Sequence, residues 1–130
     1  MADRQIQALA CETINSDMPD AAILQAWERR KAAYARSFEI GDSQAPEHHA
    51  CMDIVDAAET VIQSTIANTP GGVAVQAWVA LWHNSCIDEN DQFVAATEGN
   101  LQFFLELGSR LDWELRLHVA VLRSLVSMGA

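Results

Sequence analysis

Apolar residues recur along the chain at the three- and four-residue spacing of a helix surface, and strand-like alternation is scarce. The organising stretch runs from Thr60 to Ile87, which holds no Asp, Glu, Lys or Arg. Two apolar patterns meet inside it at Thr69-Pro70-Gly71-Gly72. Val61, Ile62, Thr65 and Ile66 end one helix, and Val73, Ala77, Trp78, Leu81 and Trp82 mark the next.

Taken in order, Asp3 can cap a first short helix with Ile6, Leu9, Ala10, Thr13 and Ile14 on one face. A longer helix follows, with Asp17 and Asp20 giving an acidic start and Pro19 tolerated in a first turn. Its apolar seam is Ile23, Leu24, Trp27, Tyr34 and Phe38, and Gly41 closes it. Pro46 then opens a helix reading to about Asn68, with Met52, Val55, Ala58, Ile62 and Ile66 on one side. The short loop between them implies an antiparallel hairpin over residues 18–68. With its turn near Ser43, Leu24 should meet Ile62, Tyr34 should meet Met52, and Arg29 or Arg30 should fall near Asp56 and Glu59. As exposed ion pairs these would contribute about 0 to 1 kcal/mol each.

Further helices are predicted over residues 70–85, 88–107 and 110–128. Gly71 and Gly72 weaken the start of the first of these and suggest a close approach there. Gly99 lies inside the second. Gly108 stops it, and Ser109 with Asp112 forms a box-like cap for the last. That last helix carries Leu111, Leu115, His118, Leu122 and Leu125 on one seam. Trp113, Leu117, Ala120 and Val121 nearly encircle it. A helix so apolar must be central or shared with a second subunit, so the seam is the predicted interaction surface. The expected architecture is all-α, one domain over residues 1–130, with four or five helices built on the hairpin.

Charge narrows the partners. The net charge is −10, but residues 37–109 carry eleven acids and not one Lys or Arg, while residues 1–36 balance and residues 110–130 return to +1. A basic surface for phosphate is absent, which disfavours direct nucleic-acid binding. An acidic face can repel nucleic acid, attract a basic protein or keep the chain soluble. Cys11, Cys51 and Cys86 are too few and too widely spaced for a disulfide framework. Ala8-Leu9-Ala10-Cys11 lacks the apolar run a lipoprotein signal needs, and Gln63, Asn68, Pro70 and Gln76 interrupt the uncharged stretch. A cytoplasmic protein without a membrane span is expected.

Few groupings suggest chemistry. His48, His49 and Cys51 with His83 and Cys86 are the candidate metal ligands, since His and soft Cys at helical spacing suit zinc. The competing reading is solvent-facing histidines and buried free thiols. Asp53, Asp56 and Glu59 step along one helix, but no Glu-x-x-His motif accompanies them, so a solvated stripe facing Arg29 and Arg30 is the simpler account. His118 on an apolar seam reads as a core or interface residue. Nucleophile elbows and phosphate-cradling loops are missing, so no catalytic residue and no cofactor is assigned.

Trp27 with Arg30, Asp56-x-x-Glu59-x-x-Ile62 leading to Thr69-Pro70, and Asp112-Trp113-Glu114-x-Arg116 together span residues 27–116. In these the chain resembles a group of short, uncharacterised α-helical proteins of alphaproteobacteria, some associated with phage or mobile elements. The glycines after Pro70 depart from that pattern. The resemblance implies helices and a bacterial cytoplasm, and brings no activity, cofactor or partner. The expected role is a small acidic interaction or adaptor protein that self-associates as a homodimer. The alternatives are an acidic inhibitor or nucleic-acid mimic occupying a basic protein site, and a metal-binding protein using the His and Cys groups.

Overall fold

The computed structural model describes residues 14, 17–84 and 90–130. Among them are six α-helices and no strand. These are α1 (Ala21–Ile40), α2 (Pro46–Ser64), α3 (Pro70–Trp82), α4 (Asn90–Glu98), α5 (Leu101–Leu107) and α6 (Trp113–Ser127), with a 3-10 turn at Gly108–Arg110 before the last. The all-α class is as the periodicity predicts. Most of the short helix expected after Asp3 falls outside the described residues.

α1 and α2 form the predicted hairpin. Gly41 adopts φ 73° and its N–H bonds back to the Ser37 carbonyl at 3.0 Å, ending α1 where a side chain with Cβ would resist that conformation. Pro46 then sits in the first turn of α2, where its missing N–H costs nothing. At the turn end of the hairpin, Tyr34 packs with Cys51, Val55 and Met52. At the far end, Leu24 and Ile62 join the main core, which draws buried side chains from all six helices.

The end of α2 is earlier than expected. Thr65 is already extended, so the chain leaves the helix after Ser64. The carbonyls this exposes are satisfied from the next helix, because the Gln76 amide donates to the Ile62 and Thr65 carbonyls at 3.1 and 2.8 Å. Thr69 caps α3 through its side chain, accepting from the Gly72 N–H, and Pro70 follows at its start, as the sequence predicts.

The helix expected over 88–107 is two helices. Gly99 adopts φ 71°, and Asn100 caps α5 by accepting from the Phe103 N–H at 3.2 Å. A Cβ at Gly99 would lie 3.2 Å from Trp27 and 3.4 Å from Trp78. The break thus lets the backbone rest against two buried indoles. The cap of the last helix also differs. Ser109 lies in the 3-10 turn, and Asp112 is the N-cap of α6, without a side-chain bond to it. The intervening Leu111 is extended and buried, which fixes where α6 can begin.

Candidate functional site

The basic cluster of α1 divides sharply. Arg29 is exposed, whereas Arg30, one residue on, is 0% exposed. Its Nε donates to Glu59 Oε1 at 2.9 Å, and its guanidinium lies 4.9 Å from the Tyr34 ring centre, 5.4 Å from Trp82 and 5.7 Å from Trp27. The two terminal nitrogens have no hydrogen-bond partner among the described residues. Three π-faces and one carboxylate therefore hold this cation between α1, α2 and α3. The expectation of exposed, nearly neutral pairs here is corrected: Arg30–Glu59 joins a fully buried guanidinium to a half-buried carboxylate, so loss of Glu59 would leave a desolvated charge. Burial among these groups also pushes the Tyr34 hydroxyl up to about 12, against the opposing pull of Arg30.

Glu59 uses its second oxygen at the surface. Oε2 lies 3.0 Å from His83 Nε2 at the end of α3, beside a cleft of about 480 Å³ lined by Ile62, Gln63, Gln76, Val79 and Ala80 as well. A carboxylate fixed from behind by a guanidinium and touching an imidazole is an arrangement able to orient a general base. Among the described residues, no Ser, Thr, Cys or Lys lines the cleft. Asp53 and Asp56, the other members of the carboxylate stripe, face solvent.

Asp20 is placed differently from its expected role in the acidic start of α1. It is buried, takes the left-handed φ of 60°, and makes no capping bond to α1. Its carboxylate instead accepts from the Asn68 N–H at 2.9 Å, the Thr69 N–H at 2.8 Å and the Thr69 hydroxyl at 2.5 Å, at the start of α3. The Thr69 hydroxyl, aided by those amides, holds the Asp20 carboxyl below its ordinary value despite burial. Gly72 is required alongside, since a Cβ there would stand 2.1 Å from Asp20 Oδ2. The close approach expected from the glycines is thus a side-chain contact across 49 residues of sequence.

The candidate metal ligands are not gathered. Cys51 is buried in the hairpin, His49 is exposed, His48 borders a separate cleft with Tyr34 and Trp82, and His83 is with Glu59. Cys86 lies outside the described residues, among which no three His, Cys, Asp or Glu side chains group as metal ligands. No helix there is long and apolar enough to cross a membrane.

Comparison with protein-family models, curated proteins and solved structures finds no match. Function has to be read from the geometry of the chain itself.

The seam predicted to meet a partner faces inward. Leu111, Leu115 and Leu122 are buried, Leu125 packs against the same core, and His118 is half-buried. What α6 shows to solvent is its opposite face. Trp113 is 65% exposed and Leu117 53%, with Val121 and Met128 also exposed. Stepping by four and three residues, Trp113, Leu117, Ala120, Ser124 and Ser127 form one uncharged stripe at heptad spacing. Arg116 and Arg123 edge it on one side, Arg116 lying 5.1 Å from the Trp113 ring centre. Between this edge and α5 runs an open groove of about 630 Å³, lined by Leu105, Val119, Ala120 and both arginines. Trp113 and Leu117 are visible in the sequence as apolar residues, but only the burial of the Leu115 seam reveals that they face outward.

Proposed function

We propose that this chain is a non-enzymatic interaction protein that self-associates through the outer face of its C-terminal helix. The observation that carries the proposal is the exposed Trp113–Leu117–Val121 surface. Isolated exposed apolar residues are ordinary, but a large aromatic and two aliphatic side chains aligned along two helical turns form a patch that marks association surfaces. The arginine edge suits such a role, because Trp and Arg are the residues that most often dominate interface energetics.

Sedimentation velocity over a range of concentrations tests the proposal. Wild-type protein should shift to a mass above that of the monomer. Leu117→Glu should hold it monomeric, with unchanged helical circular dichroism because Leu117 is not part of the core. A wild-type chain that stays monomeric at the highest concentration reached, or a Leu117→Glu variant that associates equally well, overturns it.

A further inference from the structure

The outward face of α2 repeats the pattern of α6 with the opposite charge. Ala50, Ile54, Ala57, Val61 and Ser64 recur at the same four- and three-residue spacing; Ile54 is 47% exposed, while Val61 is half-buried at the edge of the main core. Asp53 and Asp56 lie toward one flank of that stripe and face solvent. On α6 the flank is held by Arg116 and Arg123. None of these four charged residues forms an ion pair among the described residues. Viewed down each helix at 100° per residue, the acids of α2 and the bases of α6 fall on the same rotational side of their stripes. Face-to-face helices bring like-handed flanks together only when they run antiparallel, as the edge positions of an antiparallel coiled coil do.

Resting on the self-association proposed above, we infer that α6 of one copy docks antiparallel on the outer face of α2 of a second copy. The stripes fit in size as well as charge. With Leu117 set against Ala57 of the second copy, Ile54 meets Ala120, Ala50 meets Ser124 and Val61 meets Trp113. Each large aliphatic side chain in the middle of the contact faces a small one. In the same register Asp56 comes near Arg116 and Asp53 near Arg123. The alternative, α6 against α6 of a second copy in antiparallel pairing, would bring Arg116 against Arg123 twice. The contact is heterologous, joining two different surfaces, so it closes as a reciprocal pair or ring, or continues as a filament. A single helix pair is at the small end of specific interfaces, which makes the association concentration-dependent.

Charge-swap complementation tests it. One variant carries Arg116→Glu with Arg123→Glu, leaving both stripes acidic. The other carries Asp53→Lys with Asp56→Lys, leaving both basic. Each alone should be at least tenfold weaker in self-association than wild type by sedimentation, and an equimolar mixture should recover it. All four positions are exposed, and matching circular dichroism confirms that both variants fold. Wild-type association should also weaken on raising salt, because the paired edges are screened. Variants that associate as wild type does, or a mixture no better than its components, overturn the inference. If Leu117→Glu abolishes association while Asp53→Lys with Asp56→Lys does not weaken it, α2 is not the partner surface, and self-association through α6 stands without it. A monomeric wild type removes both.

Discussion

Glu59→Gln is the sharpest test of how the hairpin is held. The substitution keeps side-chain size and the ability to accept from Arg30 Nε, and removes only the charge. Arg30 is 0% exposed and its terminal nitrogens have no other partner among the described residues, so the cation is left in a low-dielectric site facing aromatic rings. Removing one member of a buried pair costs about 3 to 5 kcal/mol, whereas an exposed pair is worth about 0 to 1. Against a typical total stability of about 5 to 15 kcal/mol, the first figure is a large fraction and the second is small. The ranges do not overlap, so urea denaturation followed by Trp fluorescence decides between them. A second substitution identifies the cause. Arg30→Met fills the cavity with an unbranched apolar side chain and leaves Glu59, which is 18% exposed, able to reach water. In the double variant the buried charge is gone, so Arg30→Met should recover much of the loss caused by Glu59→Gln. A Glu59→Gln variant within about 1 kcal/mol of wild type, or a double variant in which the two losses simply add, would refute the reasoning.

The adjacent glycines should respond with opposite signs in the same assay. Gly71→Ala has only Thr69 Oγ1 at 3.8 Å nearby and should gain up to about 1 kcal/mol from helix propensity. Gly72→Ala drives Cβ onto the Asp20 carboxylate and should lose about 1.5 to 3 kcal/mol, the worth of hydrogen bonds to a charged group. Asp20→Asn should destabilise the protein at neutral pH. Because the folded carboxyl is held below its ordinary value of 3.8, that contribution is present above 3.8 and fades as pH falls through the lower folded value. The gap between variant and wild type should therefore close in acid. Tyr34 is the chain's only tyrosine, so ultraviolet titration reads it alone, and in the folded protein it should ionise near 12. Its raised value means the folded state keeps a proton that the unfolded state loses, so stability should fall as pH rises from 10 towards 12.

What the sequence made legible was local. Gly41 and Pro46 lie five positions apart at the hairpin turn, and their meaning needs no knowledge of the rest of the chain. The choice between Arg29 and Arg30 was different. Adjacent residues are 100° apart on a helix, so a one-residue uncertainty in register already spans the difference between burial and exposure. The Asp20 contact with Thr69 was out of reach for another reason. Asp20 reads naturally with Asp17 as the acidic start of a helix, and nothing nearby points to a partner 49 positions on. Ser109 and Asp112 are both good cap residues, and the tertiary burial of Leu111 decides between them. The Leu115 seam of α6 is apolar, as read, and it faces the core; a helix with apolar residues on both faces gives no local sign of which face the core takes.

The distribution of charge among these elements gives the docking proposal its physical basis. Arg30 is neutralised internally by Glu59, while Lys31 and Arg36 pair along α1 with Glu28 and Glu39. The cations of the first long helix are therefore largely matched within the chain. Those of α6 are not: Arg116 and Arg123 have no acidic partner among the described residues, while Asp53 and Asp56 on α2 have no basic one. In one copy, α6 turns its core seam towards α3 and cannot also present its outer face to α2. A second copy has no such restriction. For a chain of net charge −10, association must overcome mutual repulsion, and the cheapest contact is one that sets the base-rich helix against an acidic face. Both surfaces also leave apolar side chains uncovered in the monomer, Ile54 on α2 and Trp113, Leu117 and Val121 on α6.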